Sequence, residues 1–136
     1  MPIINPRARH LTQAFIQLDH LTHNLHLLQR QVGTVALWPV LKANAYGHDA
    51  AIVAAHLVRS GSNTFCVAHV GEAIALAETG IRATMIVLSA TLPEHSESLV
   101  AYGCEPVVCT REMVEALGAA AGKARKPVAI HLQDDT

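Results

Sequence analysis

Apolar residues fall along this chain in two alternating rhythms. Short, nearly unbroken apolar runs stand at residues 35–41, 64–68, 84–88, 105–109 and 127–132, separated by alanine- and glutamate-bearing segments at 48–60, 71–79, 93–102 and 110–121. The runs have the length of sheet strands and the intervening segments that of helices. Residues 35–41 in particular have the apolar content of a strand buried on both faces. Glycines 33, 61, 80, 103 and 122 each precede a run and suit the left-handed position just past a helix. Pro93 suits a first helical turn, and Thr110 suits an N-cap. Ahead of this repeat, Asp19 stands where an N-cap belongs. Leu21, Leu25, Leu28 and Val32 follow it at helical spacing, predicting a helix that packs by one leucine face and ends at Gly33. Residues 12–18 fit a short strand, and residues 1–11, with Pro2 and Pro6, read as a lead-in.

Strands that alternate with helices of this length predict a parallel sheet with right-handed crossovers. Two topologies satisfy that pattern, an open doubly wound sheet and a barrel. The open dinucleotide-binding form wants two or three glycines after its first strand, and residues 42–49 hold only Gly47. A Walker-type phosphate loop is absent as well. A closed barrel takes roughly 250 residues, far more than the 136 here. The expected fold is therefore α/β, a partial parallel (β/α) barrel with about five of eight strand–helix units.

Composition sharpens this picture. The chain is 51% hydrophobic and 15% charged, against roughly 25% charged in an ordinary domain. Apolar surface thus exceeds what its charges can cover, which implies a partner or further sequence. A net charge of −1 without a basic cluster argues against nucleic acid or an anionic membrane as the main partner. Cys66, Cys104 and Cys109 are odd in number and wrongly spaced for a disulfide framework or a zinc site. With no signal-like segment and no membrane-length apolar run, they point to a cytoplasmic protein. His20, His23 and His26 spread over the solvent side of the first helix, where solvated histidines are the expected reading and a metal site the lesser one.

Candidate chemistry centres on Lys42, at the carboxyl end of the first run and just before Ala43-Asn44-Ala45-Tyr46-Gly47-His48. In parallel α/β folds that end of the sheet carries the chemistry. An amine held there partly desolvated is an available nucleophile toward an aldehyde, whereas a solvated strand end is the plainer alternative.

The stretch Lys42 to His48 resembles the pyridoxal-phosphate lysine motif of the alanine racemases. Residues 15–19 with Leu21 and Asn24 resemble that family's lead into its first helix. Gly71-Glu72-Ala73, Gly80-Ile81 and Met85-Ile86-Val87-Leu88 resemble its second and third units. His131-Leu132-Gln133-Asp134-Asp135-Thr136 resembles a segment that in the family continues into an Asp-Thr-Gly-Met turn. The resemblance implies the N-terminal TIM-type barrel of a two-domain dimer. Residues 1–136 would form one N-terminal segment of it, without the later barrel strands and the β domain.

It also implies pyridoxal 5'-phosphate as cofactor and Lys42 as the Schiff-base residue that moves the Cα proton of alanine. Tyr46 would hydrogen-bond the phosphate, and Leu88 would pack beside the ring. Gln133 falls where many members carry a carbamylated lysine that orients an active-site arginine; glutamine cannot be carbamylated, but its amide oxygen accepts from a guanidinium. A second base, a tyrosine reaching in from the partner subunit, lies outside the resembling segment, as do the arginine at the pyridine nitrogen and the late phosphate loops.

The implied activity is interconversion of L- and D-alanine for peptidoglycan. A broader amino-acid racemase, a related pyridoxal-phosphate barrel protein and a non-catalytic fragment that self-associates remain open. Self-association is expected in any case, because five strands leave two edges unpaired.

Overall fold

Four parallel strands pair strictly in chain order, β1-β2-β3-β4, with no reversal of the kind that creates a switch point in doubly wound sheets. This order belongs to a barrel segment, as the sequence predicts. The computed structural model describes residues 14–134. Its elements are α1 (Leu18–Val32), a single turn α2 (Lys42–Gly47), α3 (Ala50–Arg59), β1 (Thr64–Val67), α4 (Val70–Glu78) and β2 (Thr84–Val87). A 3-10 turn at Pro93–His95 then opens α5 (Ser96–Tyr102), followed by β3 (Glu105–Val108), α6 (Arg111–Ala124) and β4 (His131–Leu132).

The register fixes which residues share a face. Cys66 pairs with Ile86 and Val67 with Val87. Ile86 meets Glu105 and Val87 meets Pro106, while Val107 meets His131 and Val108 meets Leu132. Because strand side chains alternate, Phe65, Val67, Met85, Val87 and Val108 point to one face, where they join one core with Ala54, Leu57, Ala73, Leu76, Leu99 and Leu117 of the helices. Cys66, Ile86, Glu105, Val107 and His131 point to the other, concave face. Cys66 and Ile86 are buried yet lie outside the helix-side core. The Trp38 ring meets His131 edge-on, with 5.7 Å between centroids, so the sheet curls until its first run touches β4 across the concavity.

Two expected strands are much shorter than their apolar runs. Residues 35–41 contribute only the bridge Val40–Cys66. Leu41 N–H donates to the Cys66 carbonyl at 2.8 Å, and Cys66 N–H to the Pro39 carbonyl at 2.9 Å. Pro39 has no N–H with which to extend that ladder, and among the described residues only β1 flanks the run. Burial on both faces is not met either, since Val35 is 66% exposed and Trp38 47%. At the other edge only His131 and Leu132 of residues 127–132 pair, opposite Val107 and Val108; the register would set Ile130 against Pro106, which has no N–H to donate, and Pro127 has none either.

Smaller departures have equally local causes. The helix at Leu18–Val32 is capped by Gln17 without a side-chain bond, and Asp19 sits inside its first turn, where a carboxylate complements the helix dipole. Leu18 packs against the core and so draws the helix start forward of Asp19. Of the predicted leucine face only Leu25 is buried, and Leu28 is 52% exposed. The helix lies mainly on α3, a contact narrower than the stripe, closed by a Thr22–His56 hydrogen bond of 2.7 Å and a Thr22–Ser60 bond of 3.0 Å. The strand expected at 12–18 lies partly outside the described residues, and residues 14–17 form no strand.

Helix ends mostly follow the sequence. Thr110 caps α6 by accepting from Met113 N–H, Pro93 opens its turn, and Gly33, Gly61, Gly80 and Gly103 all have positive φ. Gly122 is the exception. The helix runs on to Ala124, and Arg125 takes the left-handed position at φ 52°, because Ala120 and Ala121 keep packing into the core beyond the expected stop.

Candidate active site

Immediately past the Val40–Cys66 bridge the backbone reverses its hand. Ala43, Asn44, Ala45 and Tyr46 have φ of 52°, 55°, 53° and 55° with ψ between 36° and 48°, a full left-handed turn made of residues with side chains. Each such residue costs about 1–2 kcal/mol against the right-handed form. Gly47 (φ 83°) and Asp49 (φ 68°) extend the positive-φ stretch, and only at Gly47 is that conformation free of steric cost.

The turn is held at both ends and in the middle. At its entry, Ala43 N–H donates to Glu72 Oε1 at 2.7 Å, while the other oxygen of that carboxylate accepts from Ala68 N–H at 2.8 Å. Hydrogen bonds to a charged acceptor contribute about 1.5–3 kcal/mol each. In the middle, Ala45 N–H donates to the Leu41 carbonyl at 2.8 Å, and the Ala45 methyl is buried. At the exit, Asn44 Oδ1 accepts from Ala50 N–H at 2.8 Å. His48 Nδ1 donates to the carbonyls of Ala45 (2.9 Å) and Tyr46 (3.1 Å). Asp49 then caps α3 by accepting from Ile52 N–H at 3.1 Å.

Lys42 and Tyr46 are brought together by this geometry, with Nζ 6.0 Å from the Tyr46 ring centroid. Both are exposed, Tyr46 by 60%. The expected partial desolvation of Lys42 is therefore not met: the turn that carries it rides above the core, and only Leu41 before it and Ala45 within it are sunk into the protein. Tyr46 does not pack away against the following helix. Among the described residues Lys42 enters no ion pair, so its amine is available to a ligand.

Strand alternation places Leu88, one residue past β2, and Gln133, one residue past β4, on the concave face at the same carboxyl end. Leu88 N–H donates to the Val67 carbonyl and Gln133 N–H to the Val108 carbonyl, each at 2.9 Å. Leu88 is 38% exposed. Lys42, two residues past the bridged Val40, Leu88 and Gln133 thus stand at one end of one face; Tyr46 approaches Lys42 alone. His20, His23 and His26 are exposed on α1, and among the described residues no group of three metal-ligating side chains occurs. No helix of the described residues is long and apolar enough to cross a membrane.

Glu72 and Asn44 escaped the sequence reading. In the sequence Glu72 is one more first-turn acid on a helix, and nothing in its spacing reports a partner at Ala43. Asn44 carried a faint signal, as asparagine is among the few residues with side chains that enter left-handed backbone routinely.

The curled, consecutively ordered parallel sheet and the lysine at the carboxyl end of its first run define the class, a segment of a (β/α) barrel with its candidate site where such barrels carry chemistry. Residues 16–136 match the family model described as alanine racemase, N-terminal domain, and the chain belongs to that family. It is 37% identical to the alanine racemase of Carboxydothermus hydrogenoformans, over 90% of this chain and 33% of that one. The alanine racemase of Clostridium difficile 630 superposes with a TM-score of 0.80 at 27% identity, covering 84% of this chain and 31% of that one. An alanine racemase from Bartonella henselae with covalently bound pyridoxal phosphate has a TM-score of 0.74 over 85% of this chain and 32% of that one; its 24% identity speaks to the fold alone. The chain spans about a third of the length of these relatives.

Proposed function

We propose that this chain is the cofactor-lysine segment of a pyridoxal-phosphate-dependent alanine racemase, corresponding to the N-terminal part of its barrel. The observation that carries this reading is the left-handed turn after the first run, with the Lys42 amine and the Tyr46 phenol side by side on an open face. Its chemistry fits the cofactor. Lys42 is a primary amine suited to bind an aldehyde covalently, the Tyr46 hydroxyl is a donor suited to an anionic phosphate oxygen, and Leu88 is an apolar surface suited to a ring. When bound, pyridoxal phosphate supplies the electron sink that acidifies the amino acid's Cα–H.

What remains to the chain is binding, orientation and one proton transfer. Lys42, once its nitrogen is free, takes or returns the Cα proton on its own side of the substrate. Tyr46, fixed four residues away on the same turn, orients the phosphate end relative to that nitrogen. Gln133 offers an amide oxygen to a guanidinium at the rim. The proton transfer on the opposite side requires a base that Lys42 does not provide, in keeping with a homodimeric parent that supplies it from a partner subunit. On this reading the protein works in the cytoplasm and supplies D-alanine for the cell wall.

The test is to incubate the chain with pyridoxal phosphate, reduce with borohydride and map the modified lysine by mass spectrometry. Modification at Lys42, lost in Lys42→Ala with its absorbance band, is the expected result; modification elsewhere overturns it. Racemisation by the 136-residue chain should run about 10²- to 10⁴-fold below an intact relative for want of the second base. A second reading, action by self-association without catalysis, draws on the exposed Leu132 (77%) and Val40 (38%) at the two edges of the sheet.

A further inference from the structure

We infer that Glu72 is a positioning residue for the Lys42 amine, acting through two backbone N–H groups and not through any reacting atom. The inference rests on the proposed role of Lys42. Glu72 lies in the first turn of α4, and its side chain is only 19% exposed. One oxygen accepts from Ala43, the residue directly after Lys42, at 2.7 Å, and the other accepts from Ala68, directly after β1, at 2.8 Å. A single carboxylate thus joins the loops that follow two neighbouring strands. His69 Nε2 stands 3.8 Å from the oxygen that holds Ala43.

Ala43 is also the first of the four left-handed residues, so the clamp acts where the hand of the chain is decided. Asn44 secures the exit of the turn from only six residues away, whereas the clamp at the entry comes from twenty-nine residues away. Relaxation of the entry toward right-handed backbone redirects every N–H of the turn, and with them the points at which Lys42 and Tyr46 leave the chain. A carboxylate is required because both partners are donors. In Glu72→Gln one of the two acceptors becomes an NH₂ that faces an N–H.

The experiment compares the full chain with its Glu72→Gln variant by amide hydrogen exchange and by borohydride trapping of pyridoxal phosphate after a short fixed exposure. Exchange at Ala43 and Ala68 should rise at least tenfold together, and trapping at Lys42 should fall at least tenfold. Trapping at Lys123 and Lys126, on and just past α6, should stay unchanged. Adding Ala43→Gly, which accepts positive φ without steric cost, should restore at least threefold of the lost Lys42 trapping. A folded Glu72→Gln chain with wild-type trapping at Lys42 overturns the inference. If that variant does not fold, Glu72→Asp, which keeps both acceptor oxygens on a side chain one methylene shorter, takes its place with the same two readouts, and wild-type trapping at Lys42 with raised exchange at Ala43 and Ala68 overturns the inference. Failure of the wild-type chain to trap cofactor at Lys42 refutes the cofactor role instead, and the amide measurements still judge the clamp.

Discussion

The two faces of the sheet follow opposite rules. On the helix-covered face, Phe65, Val67 and Val87 are wholly buried and make no use of polar chemistry. On the concave face, Thr64 and Thr84 accompany Cys66 and Ile86 on β1 and β2, and Glu105 of β3 and His131 of β4 hydrogen bond at 3.0 Å. The candidate site opens at the carboxyl end of this second face. The helix-side face is uniformly apolar where the concave face mixes buried apolar with polar residues, and an alternation of single residues along each strand keeps the two apart.

The largest effect that sharpens this contrast is expected from Phe65→Ala, which empties a fully buried site on the helix side and should cost about 3–5 kcal/mol. Leu88→Ala, at the open end of the concave face, should cost less than about 1 kcal/mol by the same urea melts. Equal losses would break the comparison. The next effect concerns the edges. With Leu132 and Val40 exposed at unpaired strand edges, the chain should sediment as a concentration-dependent oligomer, and its melting midpoint should rise over a hundredfold range of concentration. A monodisperse monomer with a constant midpoint would contradict this.

Burial also separates the thiols. Cys104, on the helix side, is pushed up to about 11, and Cys66 is also raised, each by burial. Because the folded thiol holds its proton more tightly than the unfolded one, the unfolded chain loses protons first as pH rises above about 9, the ordinary thiol value. This contribution to stability is therefore intact below pH 9 and lost progressively up to about 11. Urea midpoints should fall across that window, and Cys104→Ala should flatten the fall. Exposed Cys109 alone should react with a thiol reagent in the native chain.

The smallest effect is expected at Arg125, a single left-handed residue secured by neighbours on its own helix. Arg125→Gly should stabilise the chain by about 0.5–1 kcal/mol in thermal melts, since nothing distant fixes that residue. A loss of stability there would mean that the Arg125 side chain contributes more than its backbone strain costs.

Much of the fold was legible because its signals are local. Thr110 and Pro93 mark helix starts through bonds and angles within one turn, and the apolar runs mark strands through their own burial. Where the sequence misled, a neighbour decided. Residues 35–41 look like a central strand, but Pro39 and a one-sided partner leave a single bridge. Gly122 looks like a stop signal, but the packing of Ala120 and Ala121 carries α6 past it. The Lys42 motif was legible as a resemblance, while the left-handed turn that presents it was not.

By itself the sequence determined the alternation of strands and helices from β1 onward, their parallel arrangement and the amine at the carboxyl end of the first run, since each follows from periodicity within a few residues. Only the tertiary structure decided that the four residues after that amine turn left-handed. Of alanine, asparagine, alanine and tyrosine only the asparagine has any local preference for that conformation. It stands because Glu72, from the next strand–helix unit, accepts the Ala43 N–H, and because the core receives the methyl of Ala45.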